Sequence, residues 1–159
     1  MLKTIKAKSQ PGAGGRFVIV ASRYNARYVD ALVRAAKAQL KRAGAAKVKV
    51  VRVPGAFEIP VVAALLARQK APPFDAIICL GVIIRGQTAH ADLIGTGITQ
   101  ALARLQIDHA IPVVHEVLLL DNREQARARC LSQEHNRGTE AAQTALTMAR
   151  VMGGLRRCP

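Results

Sequence analysis

Apolar and polar positions along the chain alternate between two periods. Arg16 to Ser22 runs through Phe17, Val18, Ile19 and Val20 without a break, which predicts a strand buried on both faces. A helical pattern follows, with Asn25 placed as its N-cap, an apolar face of Val29, Leu32, Val33, Ala36 and Leu40, and Gly44 as its stop. Lys47 to Val53 alternates charge with valine before turning apolar, the pattern of an edge strand guarded by lysines. After Pro54 and Gly55 the chain enters a second helix, where Pro60 is tolerable only in the first turn. From Val61 to Ala67 the apolar residues go round the cylinder instead of forming a stripe, so something besides its own sheet must cover this helix.

Pro72-Pro73 interrupts the chain before a third strand, Asp75 to Gly81. A glycine-containing turn, Gly81 to His90, leads into a helix carrying Leu93, Ile94, Ile98, Ala101, Leu102 and Leu105 on its apolar side. The fourth strand, Ile111 to about Leu120, has Pro112 near its start, which suits an edge, and the polar pair His115-Glu116 inside its apolar run. Asp121-x-x-Glu124 resembles a capping box for a short helix, and Asn136 to Met152 supplies the last one. Strands alternating with helices predict a three-layer α/β/α fold around a four-stranded parallel sheet, and edges at the second and fourth strands give the order 2-1-3-4. In such a sheet ligands bind beyond the carboxyl ends of the strands. Ser22 to Asn25, Pro54 to Glu58 and Gly81 to His90 all fall there, and the all-round apolar helix points to a homo-oligomer with the site near a subunit boundary.

Composition adds bounds. The 159 residues, half of them apolar, suit one domain, taken as residues 16–152 between a flexible basic arm (1–15) and a short tail (153–159). With 3% aromatics and no Trp, the core has to be built from Ala, Val, Ile and Leu. The formal charge of +14 raises nucleic acid as a partner, but Lys and Arg are scattered along the chain, so a solvated surface is the better reading and specific nucleic-acid binding is not expected. Cys79, Cys130 and Cys158 form neither a disulfide framework nor a metal-type pair. No stretch is long enough to span a bilayer and residues 1–15 hold no apolar signal core, so a cytoplasmic protein without membrane contact is expected.

The stretch Gly81 to Thr88 has P-loop spacing with Gln87 where the lysine belongs. Without an ammonium for the phosphates, and with β-branched Val82, Ile83 and Ile84 inside the loop, nucleotide triphosphate binding is rejected. A phosphate-sized nest of backbone N–H groups at a helix start remains, with His90 at its mouth. The helix dipole there favours a neutral imidazole able to accept and return protons; a bland capping role is the alternative. Arg129, beside the seam of Ala126 and Cys130, reads either as a phosphate clamp or as half of a salt bridge, and Arg85 as a partner for an acid such as Asp92. Tyr24 either stacks on a planar heterocycle or closes the core, and Glu58 either accepts from a polyol or caps the second helix.

Three motifs, Val53-Pro-Gly-Ala-Phe-Glu-Ile-Pro60, Leu80-Gly-Val-Ile-Ile-Arg-Gly-Gln-Thr-Ala-His90 and Asn136-Arg-Gly-Thr-Glu-Ala-Ala142, resemble those of the lumazine synthases over about Arg16 to Met152. The resemblance implies a flavodoxin-like fold and the penultimate step of riboflavin biosynthesis, in which 5-amino-6-(D-ribitylamino)uracil condenses with 3,4-dihydroxy-2-butanone 4-phosphate, with no cofactor and no metal. It implies that Tyr24 stacks on the pyrimidine, that Ala56, Phe57 and Glu58 line the ribityl chain, and that Val82, Ile83 and Ile84 read the uracil edge. Gln87 and Thr88 then hold phosphate, His90 transfers protons, and Arg129 of the adjacent subunit grips phosphate. His115 stands where the family commonly has a phenylalanine over the heterocycle, and Glu116 where it usually has glycine; the pair is expected to face the site. The family forms pentamers, some assembled into icosahedral shells. The rival readings are a shell-forming or ligand-binding homologue that has lost turnover, and a basic nucleic-acid binder.

Overall fold

The computed structural model describes residues 14–71 and 73–157. The strands are β1 (Arg16–Ser22), β2 (Lys47–Val53), β3 (Ala76–Ile84) and β4 (Val113–Leu120). The helices are α1 (Ala26–Arg42), α2 (Ile59–Ala67), α3 (His90–His109), α4 (Arg123–Cys130) and α5 (Arg137–Arg157), and a 3-10 turn, Ala56–Glu58, precedes α2. All pairings are parallel and the order is β2-β1-β3-β4, a three-layer flavodoxin-like arrangement as the alternation of periods predicts.

The register explains the two cores. Phe17 lies between Val48 and Ala76, and successive side chains then alternate faces. Phe17, Ile19, Ile78 and Leu80 meet α1, α4 and α5 through Leu32, Leu40, Ala126 and Ala142. On the other face Val18, Val20, Ile77 and Cys79 meet α2 and α3 through Ile59, Ala63, Ile98 and Leu102. Cys79 and Cys130 are both buried and free. Burial pushes the Cys79 thiol up to about 12 and the Cys130 thiol up to about 11, so neither is a thiolate at neutral pH.

Several boundaries move from where the sequence pattern puts them. β3 does not end at Gly81 but continues to Ile84, pairing Gly81 with Val117 and Ile84 with Leu120. Gly81 is therefore a packing glycine: a Cβ there would come within 3.0 Å of Val117 Cγ1 and 3.4 Å of Ile59 Cδ1. Asn25 is not a side-chain cap. It sits in the left-handed region at φ 56°, and its Nδ2 donates across to the Val82 carbonyl at 2.7 Å. For α4 the cap is Asn122, whose Oδ1 accepts from Gln125 N at 2.9 Å, because Asp121 is already engaged by Gln125 and Arg85. The last helix passes Met152 and Gly153-Gly154 to reach Arg157, whose Nε donates to the Gly153 carbonyl while Arg156 reaches the Ala110 carbonyl. Helix thus runs through 153–157 of the tail taken as 153–159, whose last two residues, like all of the arm expected over 1–15 but Gly14 and Gly15, lie outside the described residues.

The second helix matches its pattern. Ile59, Ala63 and Leu66 are buried against the sheet, whereas Val61 and Leu65 on the other side are 69% and 65% exposed. Among the described residues no helix is long and apolar enough to cross a membrane.

Candidate active site

Three chain crossings meet at the carboxyl ends of β1, β2 and β3. The turn after β1 is fixed to the turn after β2 by Arg23 N–H donating to the Val53 carbonyl at 2.8 Å and Tyr24 N–H to the Pro54 carbonyl at 3.1 Å. Arg52 backs this junction, its Nη1 on Asp30 at 2.7 Å and its Nη2 on the Ser22 carbonyl at 2.8 Å. Asn25, bent into its left-handed turn, ties the same corner to β3 through Val82. The consequence is that Tyr24 is thrown outward, 74% exposed, and does not close the core.

After β2, the Glu58 carboxylate turns back and accepts from Gly55 N–H at 2.8 Å, closing the 3-10 turn. That turn presents Phe57, 62% exposed, beside Glu58. The carboxylate thus caps the 3-10 turn and not the second helix, and Glu58 also lines the cavity described below.

Beyond β3 the chain runs through Arg85 to Ala89 as an exposed loop before α3 begins at His90. Arg85 anchors it: its N–H donates to the Leu120 carbonyl at 2.8 Å, its Nη2 lies 2.5 Å from Asp92 Oδ1, and its Nη1 pairs with Asp121. These two acids hold the Arg85 guanidinium well above its ordinary range, and Gln125 and Arg85 together hold the Asp121 carboxyl below its own. The pairing anticipated between Arg85 and Asp92 is present, so Arg85 braces the loop. Gly86 needs no special backbone angle and a Cβ on it would meet nothing within 4 Å; the space it leaves opens onto the cavity. Thr88 Oγ1 accepts from His90 N–H at 3.4 Å, and both side chains are exposed.

These pieces enclose a cavity of about 470 Å³, of the size that holds a small heterocyclic ligand. Of the residues named from sequence, Tyr24, Ala56, Phe57, Glu58, Val82, Ile83, Ile84, Thr88 and His90 all line it. Asn25, Gly55 and Gly86 line it too, inside the stretches expected at this end of the sheet but given no role there, and so do Ala91 and Ile94, which lie beyond them. For Asn25 the signal was present but misassigned, because an Asn before a helix reads as a cap as readily as a left-handed turn. Gln87 sits in the exposed loop but outside the lining.

Three further residues are elsewhere. Arg129, in the last turn of α4, is exposed and makes no hydrogen bond or ion pair among the described residues. His115 and Glu116 do not share a site: adjacent strand residues point to opposite faces. His115 turns toward α3, its Nε2 2.9 Å from Thr99 Oγ1 and its Nδ1 accepting from Val117 N–H at 3.1 Å. Burial lowers its pKa. Glu116 turns the other way, 8% exposed, and pairs with Arg137 at 2.8 Å. The polar interruption in β4 thus splits into two unrelated networks. Among the described residues no three His, Cys, Asp or Glu side chains gather into a set that could hold a metal ion.

Exposed Tyr24 and Phe57, the apolar end of β3, Glu58, Thr88 and His90 thus line one cavity. The model of one protein family, described as 6,7-dimethyl-8-ribityllumazine synthase, matches residues 14–153, which include every wall of this cavity.

Proposed function

Because the chain belongs to the lumazine synthase family of riboflavin biosynthesis, we propose that it condenses 5-amino-6-(D-ribitylamino)uracil with 3,4-dihydroxy-2-butanone 4-phosphate, giving 6,7-dimethyl-8-ribityllumazine, phosphate and a water from each of the two dehydration steps. The observation that carries this reading is the convergence of Tyr24, the Ala56–Glu58 turn, the end of β3 and His90 on one cavity. In it the pyrimidine stacks on Tyr24 and bonds the backbone of Val82, Ile83 and Ile84, and the ribityl chain lies along Ala56, Phe57 and Glu58. The loop at Gln87 and Thr88 receives the phosphate. Arg129 and His115 complete the site from a neighbouring copy in a pentamer or a multiple of pentamers. Both lie outside the lining of their own chain's cavity, which supports that division.

The chemistry needs proton transfer at defined points. The pyrimidine amine adds to the ketone and water leaves to give the imine. Phosphate is then eliminated as a proton leaves the adjacent carbon, and ring closure onto the resulting carbonyl expels water again. No net oxidation occurs. His90 at the mouth of α3 is positioned to carry these protons, and holding the two substrates together removes most of the entropic cost of a bimolecular step. The direct test gives the purified protein both substrates and follows lumazine absorbance and fluorescence. Product forming faster than the uncatalysed background is expected; a rate equal to background ends the reading.

A further inference from the structure

The corner between α4 and α5 holds three charged side chains, Glu116, Arg137 and Glu140, that this reaction scheme leaves unused, next to Arg129, which it uses. Glu116, on the α5 side of β4, receives Arg137 through two hydrogen bonds, Nη2 to Oε1 at 2.8 Å and Nε to Oε2 at 3.1 Å. Arg137 also donates from Nη1 to Glu140 Oε2 at 2.5 Å. Its guanidinium is therefore occupied on every nitrogen. Asn136 locks the corner, Nδ2 donating to the Cys130 carbonyl and Oδ1 accepting from Gly138 N–H at 2.9 Å. Arg129, one residue before Cys130, is exposed, and among the described residues no acid pairs with it. The Asn136–Cys130 bond brings this end of α4 to the start of α5, where Arg137 lies.

The four charges balance: Glu116 and Glu140 against Arg137 and Arg129. Burial pushes the Glu116 carboxyl up, while hydrogen bonds from Arg137 and its charge pull it down; Glu140 adds to the rise and Arg129 to the fall. An arginine in the first turn of α5 also sits at the unfavourable end of the helix dipole, so an unpaired Arg137 would seek an anion. Two free guanidiniums at one corner would grip a phosphate dianion much as a fork does.

We propose that Glu116 sets the anion affinity of this corner: by clamping Arg137 it leaves Arg129 as the guanidinium available to a phosphate monoester, so that phosphate is held loosely enough to be released. This rests on the reading of Arg129 as the phosphate-holding residue. Glu116 is a positioning residue, acting through Arg137.

The test uses the intact assembly and inorganic phosphate as an inhibitor. Glu116→Gln is expected to lower both the inhibition constant of phosphate and the KM of the phosphorylated substrate by about threefold to tenfold, the scale of one gained charge-assisted contact at a partly exposed site. The KM of the pyrimidine should stay where it is, which a general loosening of the fold would not permit. Adding Arg137→Gln to Glu116→Gln should return the phosphate inhibition constant to the parent value. Should Glu116→Gln assemble poorly, Glu116→Gly removes the clamp without leaving a buried amide. An unchanged inhibition constant in Glu116→Gln, or no reversal in the double variant, overturns the proposal provided Arg129→Ala weakens phosphate binding. If Arg129→Ala leaves phosphate inhibition untouched, it is the assignment of Arg129 that fails.

Discussion

His90 meets the cavity from the first position of α3, exposed, with its backbone N–H on Thr88 and its ring free to face a bound substrate. A group so placed acts in the chemical step more than in binding. His90→Ala should lower kcat by about a hundredfold while the KM values of both substrates change little, because orientation of the pair supplies the rest of the acceleration. Steady-state kinetics decide it, and an unaltered kcat removes His90 from proton transfer. His115 offers a second, independent readout. Its Nδ1 accepts from Val117 N–H, so its Nε2–H donates to Thr99 Oγ1, whose own hydroxyl donates to the Gly95 carbonyl at 2.8 Å. Protonation would set an Nδ1–H against the Val117 N–H. With burial lowering the pKa from 6.5, the unfolded chain takes up a proton that the folded chain declines as pH falls below that value, and stability is lost in the acid direction. Glu116 has the opposite sign: its raised pKa removes stability as pH climbs from 4.5 toward its folded value. Substituting His115→Gln isolates the first effect. The stability difference between parent and variant in urea should shrink between about pH 7 and about pH 5; a difference constant with pH would mean that the ring is not held neutral.

At the scale of elements, what the sequence shows depends on how far each cause reaches along the chain. The strand order was legible because Lys47, Lys49 and Pro112 mark edges locally, and the uncovered second helix because its apolar residues encircle it. Gly44, in the left-handed region at φ 77°, ends α1 where the sequence puts its stop, but the N-caps were not legible. Asn25 bonds Val82 across the fold, and Asp121 is drawn off by Arg85 from another loop, so a local pattern names the wrong partner in each case. The end of β3 was hidden for the same reason, since Val82 to Ile84 stay extended only because Leu118 to Leu120 lie alongside. Gly138 shows how sharp such a long-range constraint is. In the first turn of α5 it lets the helix approach α1 so closely that a Cβ would fall 2.1 Å from the Leu32 carbonyl oxygen, and neither backbone can yield by a rotamer change. Gly138→Ala should therefore cost at least about 3 kcal/mol, although alanine is the better helix former. Urea unfolding measures it, and a neutral or stabilised variant would show that α1 and α5 separate freely.

For the molecule as a whole, the proposed reading has one chain build only part of the cavity. The wall formed by Val82, Ile83, Ile84, Gly86, Thr88 and His90 was readable because these residues are neighbours in sequence, whereas any wall given by another copy depends on which surfaces meet. Tyr24 and Phe57 stand exposed at the rim, with Val61 and Leu65 bare on the adjoining helix, and Arg129 is at the far end of α4. An apolar rim beside a cleft that lacks its cation is what a heterologous contact would complete, one copy giving the cavity and the next giving Arg129. That division has a consequence no single-chain site shares. Chains carrying His90→Ala and chains carrying Arg129→Ala should each be poor catalysts alone. Co-expressed in equal amounts and assembled at random, they form some sites in which an intact His90 meets an intact Arg129 from its neighbour, about a quarter of the total in a closed ring. Turnover of the mixed assembly should approach that fraction of the parent rate, with light scattering showing the same particle size. Activity no greater than the average of the two separate variants would place both residues in one chain's site, and the shared cavity would have to be abandoned.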